Sequence, residues 1–291
     1  MLSVRNLEKS FKKKPALKGV SFEVQAGEIY GLLGHNGAGK STTLGIILGM
    51  VAADSGDVLI DGVSIRQKPQ EALRKVGAIF ESPSFYEYMS GWDNLRVLVG
   101  LSGPFNEEEA REIVEKVGLT DRIHSKVGAY SHGMRQRLAL AQSLLPFPKV
   151  LLLDEPTDGL DPEGIKWFRD FILDLRESRG MTVLFNSHLL VEVEQMCDRV
   201  AIVREGERVY EGAVADLRDD RTGLKIVASP EEIVTQVVKK HGGEALRDRF
   251  VFPAEQSVPA LISDLVAAGA QVEEVTPVRR SLEDVYLEFT R

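Results

Sequence analysis

The sequence predicts an α/β fold: a mostly parallel sheet, joined by an antiparallel β part, a helical part and a small C-terminal α+β module. Three observations lead there. Three short, nearly continuous apolar runs, Ile29 to Leu33, Val150 to Leu153 and Thr182 to Asn186, read as strands buried on both faces. Stretches with helical spacing separate them. Beyond residue 223, about 70 residues alternate strand and helix signals on a smaller scale.

Taken in order, the first 30 residues read as strands. Val20-Ser21-Phe22-Glu23-Val24 alternates apolar and polar residues, as a half-buried strand does. Gly27-Glu28 breaks the pattern before the first buried run. A glycine-rich turn follows, then an expected helix from Lys40 to Met50. Ser55-Gly56-Asp57 and Asp61-Gly62 bracket a short strand at Val58-Leu59-Ile60. From Trp92 to Gly118, and again from Ser131 to Leu145, the spacing is helical. Glu107-Glu108-Glu109 behind Asn106 is an acid-rich first turn with its N-cap. The second buried run ends in Asp154-Glu155-Pro156, and a helix is expected from Pro162 to Arg179. Val200 to Arg204 and Arg208 to Tyr210 form a hairpin over Glu205-Gly206-Glu207.

Asp and Arg become dense from Ala213 to Gly223, which divides the chain into residues 1–212 and 213–291. A helical subdomain is expected at about 82–145 within the first part. In the second, Lys225 to Ala228, Arg249 to Phe252 and Val272 to Val275 read as strands. Pro230 to Lys240, Ser257 to Ala268 and Ser281 to Phe289 read as helices.

Composition narrows the classes. The chain has 291 residues, 43% hydrophobic and 27% charged, which excludes a disordered tail or a collagen-like repeat. A net charge of −8 gives no global attraction to nucleic acid, so no nucleic-acid partner is expected. Lys12-Lys13-Lys14 reads as a solvated turn. No apolar run approaches the roughly 18 residues of a membrane helix, and the N-terminus has no secretory h-region. A cytoplasmic protein is expected. The single Cys197 excludes an intrachain disulfide and a cysteine zinc site, and packing is its default role.

Gly34-His35-Asn36-Gly37-Ala38-Gly39-Lys40-Ser41 matches the phosphate-loop pattern in full, with a buried strand before it and a helix after. Glycines let backbone N–H groups turn inward around phosphate oxygens, and the helix N-terminus adds partial positive charge. Lys40 would meet the β and γ phosphates, and Ser41, followed by Thr42, would offer its hydroxyl to Mg²⁺. Asp154 and Glu155 end a buried strand where a parallel sheet brings its strand ends to the same crevice. Asp154 is placed to hold Mg²⁺, and Glu155 to polarise a water against the γ-phosphate.

A third motif makes the combination recognisable. Tyr130-Ser131-His132-Gly133-Met134-Arg135-Gln136-Arg137 resembles the signature sequence of ABC-type ATPases. Taken alone, Ser131 is equally a helix N-cap. The resemblance implies a P-loop NTPase core of the ABC type, ATP and Mg²⁺ as cofactors, and ATP hydrolysis. It implies that Ser131 and Gly133 contact the γ-phosphate held by a second subunit, so that two chains sandwich two ATP molecules. Phe11 matches the aromatic that stacks on adenine; read without the family it is a strand aromatic. Asp158-Gly159-Leu160-Asp161 looks like the D-loop, with Asp161 also a helix cap. His188 matches the switch histidine that contacts the γ-phosphate.

Three positions depart from the family pattern. Glu81 stands where Gln is usual and is carried over as a metal ligand; His132 replaces a glycine, and Asp158 replaces Ser or Asn. Glu81 with Pro83-Ser84-Phe85-Tyr86, and the tail Ser281 to Leu287, resemble bacterial ABC-2-type exporter ATPases associated with peptide antibiotics and drug resistance. The core resemblance covers residues 1–212. It implies an exporter subunit, peripheral at the inner face of the cell membrane, working as a homodimer on an integral membrane permease. Phe85, Tyr86, Tyr88 and Met89 either line the permease groove or pack into the helical subdomain. The alternative function is a soluble ABC ATPase acting on ribosomes, nucleic acid or protein assembly.

Overall fold

The computed structural model describes residues 1–80, 83–217, 222–246, 249–252, 257–278 and 282–290. The chain divides into two compact units, Met1–Ala213 with the terminal Phe289–Arg291, and Val214–Glu288.

The first unit begins with a hairpin, β1 (Leu2–Phe11) and β2 (Lys14–Val24), turned by Lys12 and Lys13 at φ of +45° and +70°. Then come β3 (Ile29–Leu33), α1 (Lys40–Ile47), β4 (Ser55–Ile60), β5 (Val63–Ser64), α2 (Pro69–Leu73) and β6 (Val76–Ile79). Three helices follow, α3 (Gly91–Gly100), α4 (Glu107–Lys116) and α5 (His132–Ser143). The unit continues with β7 (Val150–Asp154), α6 (Pro162–Arg179), β8 (Thr182–Asn186), α7 (Leu190–Met196), β9 (Arg199–Arg204) and β10 (Glu207–Ala213).

These strands form two sheets. One is antiparallel, in the order β2-β1-β4-β5. The other runs β10-β9-β3-β8-β7-β6, parallel throughout except for the edge strand β10. All residues of β3, β7 and β8 are buried, which is why they read as continuous apolar runs. Side chains from both sheets, among them Leu2, Val4, Phe22, Tyr30, Leu152 and Leu184, share one core. The rings of Phe22 and Tyr30 stack at 5.4 Å, joining the two sheets. Near Gly31, a Cβ would lie 2.9 Å from side-chain atoms of Val193 and Val200 and 3.2 Å from Cys197 Sγ. Cys197 is therefore a packing residue, and burial pushes its thiol pKa up.

The helical segment is tied down by specific polar contacts. Asn106 Oδ1 caps α4, accepting from the N–H groups of Glu108 at 3.0 Å and Glu109 at 3.4 Å. Arg137 on α5 donates to the Val117 carbonyl at 2.8 Å, and its guanidinium lies 3.8 Å from the Trp167 ring centre.

In the second unit lie β11 (Thr222–Ser229), α8 (Glu231–Lys240), β12 (Glu244–Leu246), β13 (Arg249–Phe252), α9 (Val258–Ala267) and β14 (Gln271–Val278). The final helix is α10 (Leu282–Thr290). The sheet is antiparallel in the order β12-β13-β11-β14, a split βαβ arrangement. It has its own core around Leu224, Val234, Phe252, Leu261 and Leu265.

The structure differs from the sequence expectation at a few places. Helix α1 stops at Ile47, short of Met50, because Gly49 turns left-handed at φ +70° and the Met50 N–H turns back to the Gly45 carbonyl. Strands β5, β6 and β12 and helix α2 had no clear sequence signal. In β6, Gly77 is required by a close approach, since a Cβ there would lie 1.9 Å from the Ser143 carbonyl oxygen. Leu184, fully buried in the central strand β8, anchors the shared core. Leu184→Ala should lower stability by about 2–5 kcal/mol, read from denaturant melts.

Candidate functional site

The loop between β3 and α1 is held by contacts that leave no room for side chains at two positions. A Cβ at Gly34 would lie 2.3 Å from the Val203 carbonyl oxygen. Gly39 sits at φ +112°, and a Cβ there would meet the Ala16 oxygen at 2.8 Å. The Gly206 N–H donates to the Ala38 carbonyl at 2.9 Å, and the Lys18 N–H to the Gly206 carbonyl at 2.8 Å, so the loop is pinned by the β9–β10 turn, which β2 holds in place.

Within this loop Lys40 is buried. Its ammonium donates to the Gly34 carbonyl at 2.7 Å and the His35 carbonyl at 3.4 Å, and among the described residues it makes no ion pair. Burial lowers its pKa, while the charges of Glu155 and Asp154 act in the opposite direction. A buried cation beside the free N–H groups of a helix start calls for an anion.

The facing wall comes from the ends of β7 and β8, where Asp154 and Asn186 are direct partners in the ladder. The Asn186 side-chain NH₂ donates to the Asp154 carboxylate. Glu155 follows at φ +46°, unusual for a residue with a side chain, and its N–H donates to the Asn186 carbonyl at 2.9 Å. Glu155 Oε2 accepts from the His188 backbone N–H at 3.1 Å and lies 2.8 Å from His188 Nδ1. Asp158 Oδ1 lies 3.7 Å from the same nitrogen. Helix α5 closes the site. Ser131 Oγ caps it by accepting from the Met134 N–H at 3.2 Å, and His132 Nε2 lies 2.8 Å from the Asp158 carbonyl. The cavity between these walls has a volume of about 500 Å³, enough for the phosphates of a nucleotide.

Comparison with known proteins gives this geometry a family. A family profile described as ABC transporter matches residues 17–158. The chain is 42% identical to the ABC transporter ATP-binding protein YhcH of Bacillus subtilis (strain 168), over 100% of this chain and 96% of that protein. This chain belongs to the ABC transporter ATP-binding proteins. It is 38% identical to the bacitracin transport ATP-binding protein BcrA of Bacillus licheniformis, over 99% of this chain and 97% of the relative. Among solved structures, an ATP binding subunit of an ABC transporter superposes with a TM-score of 0.68 at 25% identity, over 91% of this chain and 99% of that one. A dimeric ATP-binding cassette in a post-hydrolysis state with ADP and Pi superposes with a TM-score of 0.67 at 25% identity, over 74% of this chain and 99% of the other. The ABC subunit is an ATPase on a P-loop α/β fold. No helix among its described residues is long and apolar enough to cross a membrane.

Of the residues singled out in the sequence, Asn36, Gly37, Gly39, Lys40, Ser41, Thr42, Asp154 and Glu155 line the cavity of the ABC subunit. Gly34, His35 and Ala38 shape the loop behind it, and His188 stands against Glu155. Phe11 lies away from the cavity lining, half exposed at the end of β1, with Lys9 Nζ 5.4 Å from its ring centre. Ser131 and Gly133 also lie outside the lining, at the start of α5. Asp161 caps α6, accepting from the Gly164 N–H at 2.7 Å. Glu81 lies outside the described residues.

Sequence reasoning missed Ala16, Gln136 and Asn186 as lining residues. Two had a signal. Gln136 is a polar residue on the face of α5 that buries Ala139, Leu140 and Ser143. Asn186 is the polar end of an apolar strand, as Asp154 is. The buried Lys40 ammonium yields a prediction. Lys40→Ala should weaken nucleotide binding by at least about 100-fold, since a charge-assisted contact to phosphate is lost. Stabilisation by added nucleotide in thermal melting should disappear with it.

Proposed function

We propose that this ATPase drives an exporter of the kind that moves peptide antibiotics, acting as a homodimer on a separate membrane permease at the inner face of the membrane. One observation carries the nucleotide part of this reading: the buried Lys40 ammonium, with no ion pair among the described residues, lines one cavity with Asp154 and Glu155, and His188 stands against Glu155. The substrate class rests on relatives, the bacitracin transport protein and a lantibiotic transport ATP-binding protein, SrtF, of Streptococcus pyogenes at 40% identity.

In this reading Lys40 and the loop amides hold the β and γ phosphates. The donor set at the cavity fits a divalent cation: the Ser41 hydroxyl and the Asp154 carboxylate are hard oxygen ligands. Mg²⁺, when bound, neutralises charge that develops on the phosphate oxygens. Glu155 orients the attacking water, and His188 moves from Glu155 toward the γ-phosphate. Phe11, half exposed, is free to stack on adenine. Ser131 and Gly133, which do not line their own chain's cavity, serve the nucleotide of the second subunit.

A permease contact is supported by the loop before α3. Buried Asn94 clamps the Tyr86 backbone, accepting from its N–H at 2.8 Å and donating to its carbonyl at 3.1 Å. That leaves the Tyr86 and Tyr88 rings exposed, while Phe85 and Met89 are half-buried. The clamp presents two aromatic rings on a fixed backbone, as a docking surface requires.

Two experiments test this reading. Glu155→Gln should keep ATP binding, lose at least about 100-fold in turnover, and accumulate an ATP-bound dimer in size-exclusion chromatography. Turnover near that of the unmodified protein would remove Glu155 from this role. Composite sites predict that mixing Lys40→Ala chains with Ser131→Ala chains restores activity above either alone. Mixed chains no more active than the separate variants would argue against a shared site.

A further inference from the structure

We propose that Asn186 is a positioning residue of the divalent-cation site, holding Asp154 with its side-chain NH₂ and accepting from a cation-bound water with its amide oxygen. This rests on the Mg²⁺–nucleotide reading above. The orientation of the amide is fixed by chemistry. An ionised carboxylate only accepts hydrogen bonds, so the Asn186 group facing Asp154 is the NH₂, and the oxygen points the other way. That oxygen is buried and has no hydrogen-bond partner among the described residues, and Asn186 is only 1% exposed. An orphaned buried carbonyl is destabilising, so a missing donor is implied.

The position of the residue says what that donor is. Asn186 lines the same cavity as Lys40, Ser41 and Asp154, and is the direct ladder partner of Asp154. Its own carbonyl accepts the Glu155 N–H, so one residue holds the Asp154 carboxylate with its side chain and the Glu155 backbone with its carbonyl. A second neutral amide lining the cavity, Gln136, is also buried, and its oxygen has no partner among the described residues. Two orphan acceptors in one cavity match a hydrated cation, which keeps waters that must donate to something. A neutral amide does this without adding negative charge next to the phosphates. Ligand-orienting partners of this kind typically tune metal affinity by about 10- to 100-fold.

The test uses the full chain and a fluorescent N-methylanthraniloyl ATP, titrated with Mg²⁺ from an EDTA-containing start. Asn186→Ala should bind the nucleotide in EDTA within about twofold of the unmodified protein. It should need about 10-fold more Mg²⁺ for half-saturation. Asn186→Ser, which keeps a donor and an acceptor, should recover part of that shift. Because part of the action of Asn186 runs through Asp154, combining Asn186→Ala with Asp154→Asn should shift the Mg²⁺ requirement by less than the product of the two single shifts. Equal Mg²⁺ requirements in Asn186→Ala and the unmodified protein would overturn the proposal. So would fully additive effects in the double variant, or loss of cooperative melting in both the Ala and Ser variants. If instead the unmodified chain binds nucleotide no better than Lys40→Ala, the nucleotide reading itself falls.

Discussion

The organisation of the catalytic unit follows from one buried charge. A lysine ammonium is buried at the start of the helix that follows a fully buried strand, hydrogen-bonded to two backbone carbonyls. Burying such a group is costly unless an anion joins it. The surrounding structure makes that position unavoidable. Gly34 and Gly39 let the loop approach Val203 and Ala16, and the Gly206 turn pins Ala38 from the opposite strand. The fold holds the cation in place before any ligand arrives, so ligand binding need not order the loop.

The parallel sheet supplies the other half. Strands β3, β7 and β8 run side by side in one direction, so their C-terminal ends deliver Lys40, Asp154 and Asn186 to one crevice. Glu155 leaves the sheet in a left-handed conformation, a strained state of the sort that persists where surrounding contacts over-determine it. Those contacts are its N–H to Asn186 and its carboxylate to His188.

How much of this was legible depended on the range of the interaction. The phosphate loop could be read because its chemistry is local: glycines, lysine and serine at fixed spacing between a strand and a helix. Asp154 could be read because it ends an apolar run. Asn186 could not be assigned, because its meaning comes from the register of β7 against β8, a pairing across the whole of helix α6. Strand β6 stayed hidden because Gly77 and Ala78 are small, and Gly77 must be so beneath Ser143. The helix at Lys40 was read too long because Met50 and Val51 continue the apolar pattern past Gly49, where the backbone turns left-handed. The C-terminal unit was legible as alternating elements, but its strand order comes only from non-local pairing.

In the role proposed for Glu155, its contact with His188 has a kinetic meaning. A carboxylate only accepts, so Nδ1 of His188 carries the proton in this contact, and a single oxygen, Oε2, takes both of the histidine's N–H groups. A water approaching that oxygen must compete with both donors. Departure of the imidazole and arrival of a water are then a single exchange. On that reading, nucleotide held in the cavity is not hydrolysed before the exchange. The contact is then a timer as well as a brace for Glu155.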